Sequence, residues 1–284
     1  MTFKSISLDP VSRHDERTEE LAEGVFITRN SNGEIIRTVD RLGVKREYSR
    51  EWMTGRLMLQ RFGNWTKLTD GRLESDGTLI YTQGEVEIEE RLDGIHIHIN
   101  QGSGVSIQTD HITGVEVVRQ PHGEVWRRER SEHTEIFEIY VRGKLTFRTQ
   151  TLNRSIREQA KTPYGGQALV NVSRREQSCE NGQLVREKFS FTNPLNQQRD
   201  IMLTLQCAEA ILILKKVVSV TTAFVDQQPT MTSYQLSAPS PVRFETAGKK
   251  LQYTDIVEVV ELNQDGVLQL LVRDAAGTAQ CIFN

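Results

Sequence analysis

Five of the chain's six histidines fall between His96 and His133. His96 and His98, in the segment IHIHIN, stand two residues apart, so on an extended strand they project from one face. Such a pair can give two imidazole legs of a metal site, with His111, His122 or His133 as a third. No Cys, Asp or Glu stands at a complementary spacing, and the alternating Ile95, Ile97 and Ile99 would take the core face. Exposed or cross-strand imidazoles are the simpler expectation, and neither a metal nor another cofactor is expected.

Glu85, Glu87, Glu89 and Glu90 crowd one short segment. Two carboxylates flanking a glycosidic bond can hydrolyse it by acid–base chemistry, which keeps a metal- or carboxylate-dependent hydrolase as one alternative. Alternating Glu on a wet sheet face is the simpler account of the row and the one expected here. Trp52, Trp65 and Trp126, with Tyr48, Tyr81 and Tyr140, could form a flat stacking platform for a sugar or a peptide; they could also anchor a sheet poor in other bulk. Trp52, Trp65, Trp126, Tyr81, His96 and His98 are therefore the residues expected to touch a ligand or partner. The sequence holds no nucleophile elbow, phosphate loop or dinucleotide fingerprint, and a non-enzyme is expected.

The elements that must position these side chains are strands. From Gly24 onward the chain alternates with a period of two: GVFITR, EIIRTV, TLIYT, EVEIEE, IHIHIN, VEVVR. Asn32-Gly33, Asp70-Gly71, Asp76-Gly77 and Asp93-Gly94 punctuate it, and such pairs supply the positive φ angles of tight hairpin turns. EVWRRE, EIFEIYV and KLTFRTQTL continue the pattern, and Pro163 with Gly165-Gly166 marks a break. Before it, DPVSRHDERTEELAE reads as one short helix with Asp9 as N-cap and too few apolar positions to bury a stripe. Residues 181–284 hold 19 charged side chains against 54 in the first 180, the direction expected of a better-buried core. AILIL, VVSVTTAFV, SYQLSA and VRFETA there read as separate strands, and AEAILILKKVV as a whole fits strand better than helix because of its Ile and Val.

The expected fold is all-β, an elongated antiparallel hairpin-repeat sheet followed by a compact β-sandwich-like or barrel domain. Its expected parts are a polar N-terminal arm (1–23), the hairpin sheet (24–160), a linker (161–180) and the compact domain (181–284).

Composition narrows the function classes. A net charge of −3 gives no basic excess for tracking phosphates, and the RRER cluster at Arg127 to Arg130 is diluted by neighbouring Glu, so no nucleic-acid partner is expected. Three cysteines without ligand spacing read as free thiols. No membrane span and no leader are legible, and the default expectation is a cytoplasmic protein or one exported by a non-classical route.

The segment NSNGEIIRTVDRLGVKREYSREWMTGRLMLQRFGNWTKLTDG resembles the YD-repeat family of bacterial Rhs-type cell-surface proteins. The resemblance rests on the turn at Asn32-Gly33, the D-x-x-G from Asp40 to Gly43, Tyr48, and G-R-L from Gly55 to Leu57, and covers about residues 30–115. It implies successive β-hairpins in one sheet, which in large members of that family wall off a cargo. FSFTNPL, from Phe189 to Leu195, is similar to strands of immunoglobulin-like sandwiches. The function expected from all this is a structural or protein-interaction scaffold, self-associating or a subunit of a larger assembly. A carbohydrate- or surface-ligand-binding module using sheet-face aromatics is the alternative.

Overall fold

The computed structural model describes residues 16–191, 201–207, 210–246, 249–264 and 266–283. The fold is all-β and antiparallel, and no helix occurs among the described residues; none there is long and apolar enough to cross a membrane. The chain divides into two compact units, Met1–Pro121 and His122–Asn284.

In the first unit, β1 (Arg17–Ala22), β2 (Val25–Arg29), β3 (Ile35–Val39), β4 (Lys45–Arg50), β5 (Leu57–Arg61) and β6 (Asn64–Lys67) form a six-stranded sheet in chain order. A second meander follows: β7 (Thr69–Leu73), β8 (Leu79–Gln83), β9 (Val86–Glu90), β10 (Ile95–Asn100), β11 (Ser106–Asp110) and β12 (Val115–Arg119). The turns close through their own side chains. Asn30 Oδ1 accepts from the backbone N–H of Asn32 and Glu34, Asp40 Oδ1 from Leu42 and Val44, and Asp110 Oδ1 from Ile112 and Thr113. Each carboxylate or amide thus does locally what a longer loop would need tertiary contacts to do.

The two meanders share a core. Tyr48, Leu57 and Leu59 of the first pack with Leu68 and Leu79, and Val25 and Ile27 pack with Leu92. Gly77, in the β7–β8 turn, has φ 85° and lies so close that a Cβ there would meet Leu92 Cδ1 at 2.6 Å and Ile27 Cδ1 at 3.1 Å. This turn needs glycine twice over, for its backbone and for its packing.

In the second unit the meander continues through β13 (Glu124–Arg130), β14 (Thr134–Val141), β15 (Lys144–Thr162), β16 (Gly165–Glu180) and β17 (Gln183–Ser190). β18 (Ile201–Cys207) and β17 both lie along β19 (Ala210–Val225), and β20 (Gln228–Thr246), β21 (Lys249–Gln264), β22 (Val267–Asp274) and β23 (Ala279–Phe283) follow in order. The long strands share mid-strand register breaks: Thr151/Ile156 in β15, Ile213/Val217 in β19, Gln235/Ser240 in β20 and Ile256/Glu258 in β21. Asn171, Lys216 and Asp255 take positive φ in these strands. Such bulges bend a strand, and in β19 and β20 residues from both sides of the break meet in one core: Leu212 and Leu214 with Val217 and Val220, Tyr234 and Leu236 with Val242 and Phe244.

Four expectations change. Residues 161–180 are not a linker but the end of β15 and the whole of its hairpin partner β16; Pro163 and Gly165 sit at that hairpin's turn rather than at a boundary. The segments read as separate strands around Lys215-Lys216 and Pro239 are single strands, β19 and β20, because a bulge carries the same local signal as a turn. Arg17–Ala22 is a strand paired with β2, not the end of a helix; the Asp9 cap lies outside the described residues, as do 192–195 of FSFTNPL. Ile95, Ile97 and Ile99 are only half-buried, so β10 has no sealed core face.

Candidate functional site

The first sheet ends at β6, which among the described residues pairs with β5 alone. β6 is exposed at all four positions, and its sequence, Asn-Trp-Thr-Lys, is reached through a two-residue turn at Phe62-Gly63 in which both residues have positive φ. Large apolar side chains are exposed at both ends of this hairpin: Phe62 in its turn is 93% exposed and Trp65 on β6 44%, and at the other end, in the β4–β5 turn, Trp52 is 90% and Met53 75% exposed. Glu51 fixes that earlier turn. Its carboxylate accepts from the Lys67 ammonium at the far end of β6 and from the Thr54 hydroxyl, which draws its pKa below the usual carboxylate range.

Behind this edge a buried ionic cluster joins the two meanders. Arg46 on β4 reaches Asp40 Oδ2 at 2.8 Å and Glu90 Oε2 at 3.2 Å, and all three side chains are buried. Arg61 on β5 pairs with Glu90, and the Tyr81 hydroxyl donates to Glu90 Oε1 at 2.9 Å. Burial alone would raise the Glu90 pKa. The Arg61 hydrogen bond and the charges of Arg61 and Arg46 outweigh it, and the net shift is downward. Tyr81 moves the other way, pushed up to about 12 by burial and by the neighbouring Glu90 charge. A phenol that stays protonated serves as a donor to a fixed carboxylate.

The sequence-predicted site residues scatter among different environments. Trp52 and Trp65 belong to the exposed edge. Tyr81 is half-buried and committed to Glu90. Trp126 is on β13 in the second unit, its indole N–H directed at Glu124. His98 is exposed, whereas His96 is half-buried with its ring edge-on to His111, centroids 4.5 Å apart. His122 and His133 sit beside Glu124 and Glu132. Among the described residues no three His, Cys, Asp or Glu side chains converge to hold a metal ion. The glutamate row separates as well: Glu87 faces Arg72, Glu89 binds Arg91, and Glu90 turns inward.

The second unit carries a polar row that the sequence did not reveal. Successive cross-strand partners read Arg127, Glu138, Arg148, Gln177, Glu187, Thr222, Thr232 and Glu261 from β13 to β21. Arg127 and Arg148 flank Glu138, and Arg175 and Gln177 hold Glu187. Glu261 receives the Tyr234 hydroxyl at 2.7 Å, and burial pushes its carboxyl pKa up. No single residue betrays this row; its signal is the alternation of each strand together with a register fixed by the turns.

No protein-family model matches the chain, and no curated protein matches its sequence.

Proposed function

We propose that this protein is a non-enzymatic β-scaffold that acts by binding protein, as a subunit of a homo-oligomeric assembly. One observation carries the reading: a bare edge strand, β6, bordered by Trp52, Met53, Phe62 and Trp65, all exposed. Large apolar side chains left exposed along one edge mark a contact surface, and an unpaired edge is a template for pairing with another chain. The arginine-paired carboxylates support it from the other side. Glu90, Glu138 and Glu187 are held by arginines, which ties the charged groups of both units to holding strands in register. The resemblance of residues 30–115 to YD-repeat hairpin walls agrees with a structural role.

The test is mass in solution. Light scattering coupled to gel filtration at tens of micromolar is expected to give a mass above that of one chain, and a monomer that also captures no protein partner overturns the reading. A second reading, binding of a carbohydrate, is favoured by Trp65, which lines an open groove of about 650 Å³ with Arg37, Glu47, Tyr48 and Arg50. Titrating a glycan panel while following tryptophan fluorescence separates the two, since a scaffold gives a flat response.

A further inference from the structure

We infer that the six-stranded sheet of the first unit is extended head-to-tail by a second copy of this chain, β6 of one copy pairing with β1 of the next. This rests on the assembly reading above and assigns its interface. Three features of the sheet lead to it.

The first is polarity. Strands β1 to β6 lie in chain order with every neighbour antiparallel, so the two edge strands run in opposite directions. β1 of a second copy in the same orientation therefore meets β6 antiparallel, and the order of the sheet repeats without reversal.

The second is exposure. β1 is exposed at all six positions and β6 at all four, in contrast to β2, where three of five residues are buried. Neither edge strand contains a proline, and the one irregularity, between Glu20 and Ala22 of β1, leaves Arg17 to Glu20 in regular pairing with β2.

The third is charge. Residues 16–23, around β1, carry Glu16, Glu19, Glu20 and Glu23 against one base, Arg17. Residues 56–67, the β5–β6 hairpin, carry Arg56, Arg61 and Lys67 and no acid. Within one copy Lys67 already pairs with Glu51 and Arg61 with Glu90, so the β6 side keeps a small excess of base, centred on Arg56 and the exposed Lys67, against the net acid of the β1 edge. That difference favours joining one edge to the other and disfavours joining β1 to itself. The register is defined too. One cross-strand row runs Thr18, Thr28, Arg37, Glu47, Gln60, Trp65 over all six strands. Continuing it places Thr18 of the second copy opposite Trp65 and Glu16 of the second copy opposite Lys67, a favourable cross-strand pair.

The experiment measures mass against concentration by light scattering, for the full chain and for Lys67→Glu and Glu16→Lys, with circular dichroism confirming that each variant keeps its β signal. The wild type is expected to grow beyond a dimer with concentration, and about 0.5 M salt is expected to weaken it by screening the edge charges. Each single variant is expected to associate roughly tenfold more weakly, because one like-charge pair replaces an opposite one. Mixing the two variants, or combining them in one chain, is expected to restore association. Variants that associate like the wild type overturn this interface and leave the assembly reading standing. Growth that stops at a dimer overturns the head-to-tail arrangement in favour of two-fold pairing. A wild type that stays monomeric overturns both.

Discussion

At the residue scale, Arg46 is the side chain on which the first unit most depends. It neutralises two buried carboxylates, Asp40 and Glu90, one on the β3–β4 turn and one on the opposing meander. A buried ion pair is worth little against a hydrophobic replacement of the whole set, but removing one partner strands the others. Arg46→Met is therefore expected to cost roughly 3–5 kcal/mol in urea unfolding, because it leaves the buried Asp40 without its cation and Glu90 with Arg61 as its remaining one. Arg61→Met, a side chain about a third exposed, is expected to cost visibly less. The cluster was only partly legible in the sequence. Asp40 could be read as a turn residue, which it is, through its bonds to the N–H of Leu42 and Val44. Glu90 looked like one more member of a wet row. Its true partners, Arg46 and Arg61, lie 44 and 29 residues away along the chain, and no local pattern records a contact at that distance.

At the scale of elements, legibility followed the same division between local and distant causes. The turns at Asn30, Asp40, Asp76 and Asp93 were readable because the Asn or Asp closes each of them by bonding the backbone two residues on, whereas Asp70-Gly71, which carries the same signal, lies inside β7. Bulges were not, since Lys216 and Asp255 adopt positive φ without being glycine, held there by the pairing on either side. The turn at Gly77 allows its two causes to be weighed. Gly84, in the β8–β9 turn, also has positive φ, 62°, but a Cβ there would meet nothing within 4 Å. Gly84→Ala is expected to cost about 1–2 kcal/mol, the conformational penalty for a left-handed residue. Gly77→Ala carries the same penalty and must in addition displace Leu92 and Ile27, the contact between the two meanders. It is expected to be the more destabilising of the two in thermal melts, and equal effects would mean that the close approach of Leu92 carries no weight.

At the scale of the whole molecule, the two units should answer pH with opposite signs. In the first, burial lowers the His96 pKa, and the charges around it are Glu90 from β9, His111 from the β11–β12 turn, Arg46 from β4 and Arg61 from β5; of these only Glu90 favours the imidazolium. The folded state thus keeps His96 neutral at a pH where the unfolded chain, titrating near 6.5, takes up the proton. Its contribution is complete above about 6.5 and is lost as pH falls from there toward the folded value. Glu90, with its pKa depressed, withdraws its own contribution lower still, below the usual value of 4.5. In the second unit Glu261 is raised by burial. It adds stability that is fully present below about 4.5 and is lost as pH rises through its folded value. Hydrogen exchange read by mass spectrometry, corrected for intrinsic rates, reports the units separately. Between pH 7.5 and 5.5, peptides from β9 to β11 are expected to lose protection while those from β20 and β21 hold or gain it. Glu261→Gln keeps the shape and a hydrogen-bond acceptor but removes the titration. It is expected to stabilise the second unit at neutral pH by about 1 kcal/mol, the scale of a buried polar group's desolvation, and to flatten its response to acid. Parallel loss of protection in both units on acidification would sink the assignment, because it would make net charge rather than these two buried groups the cause.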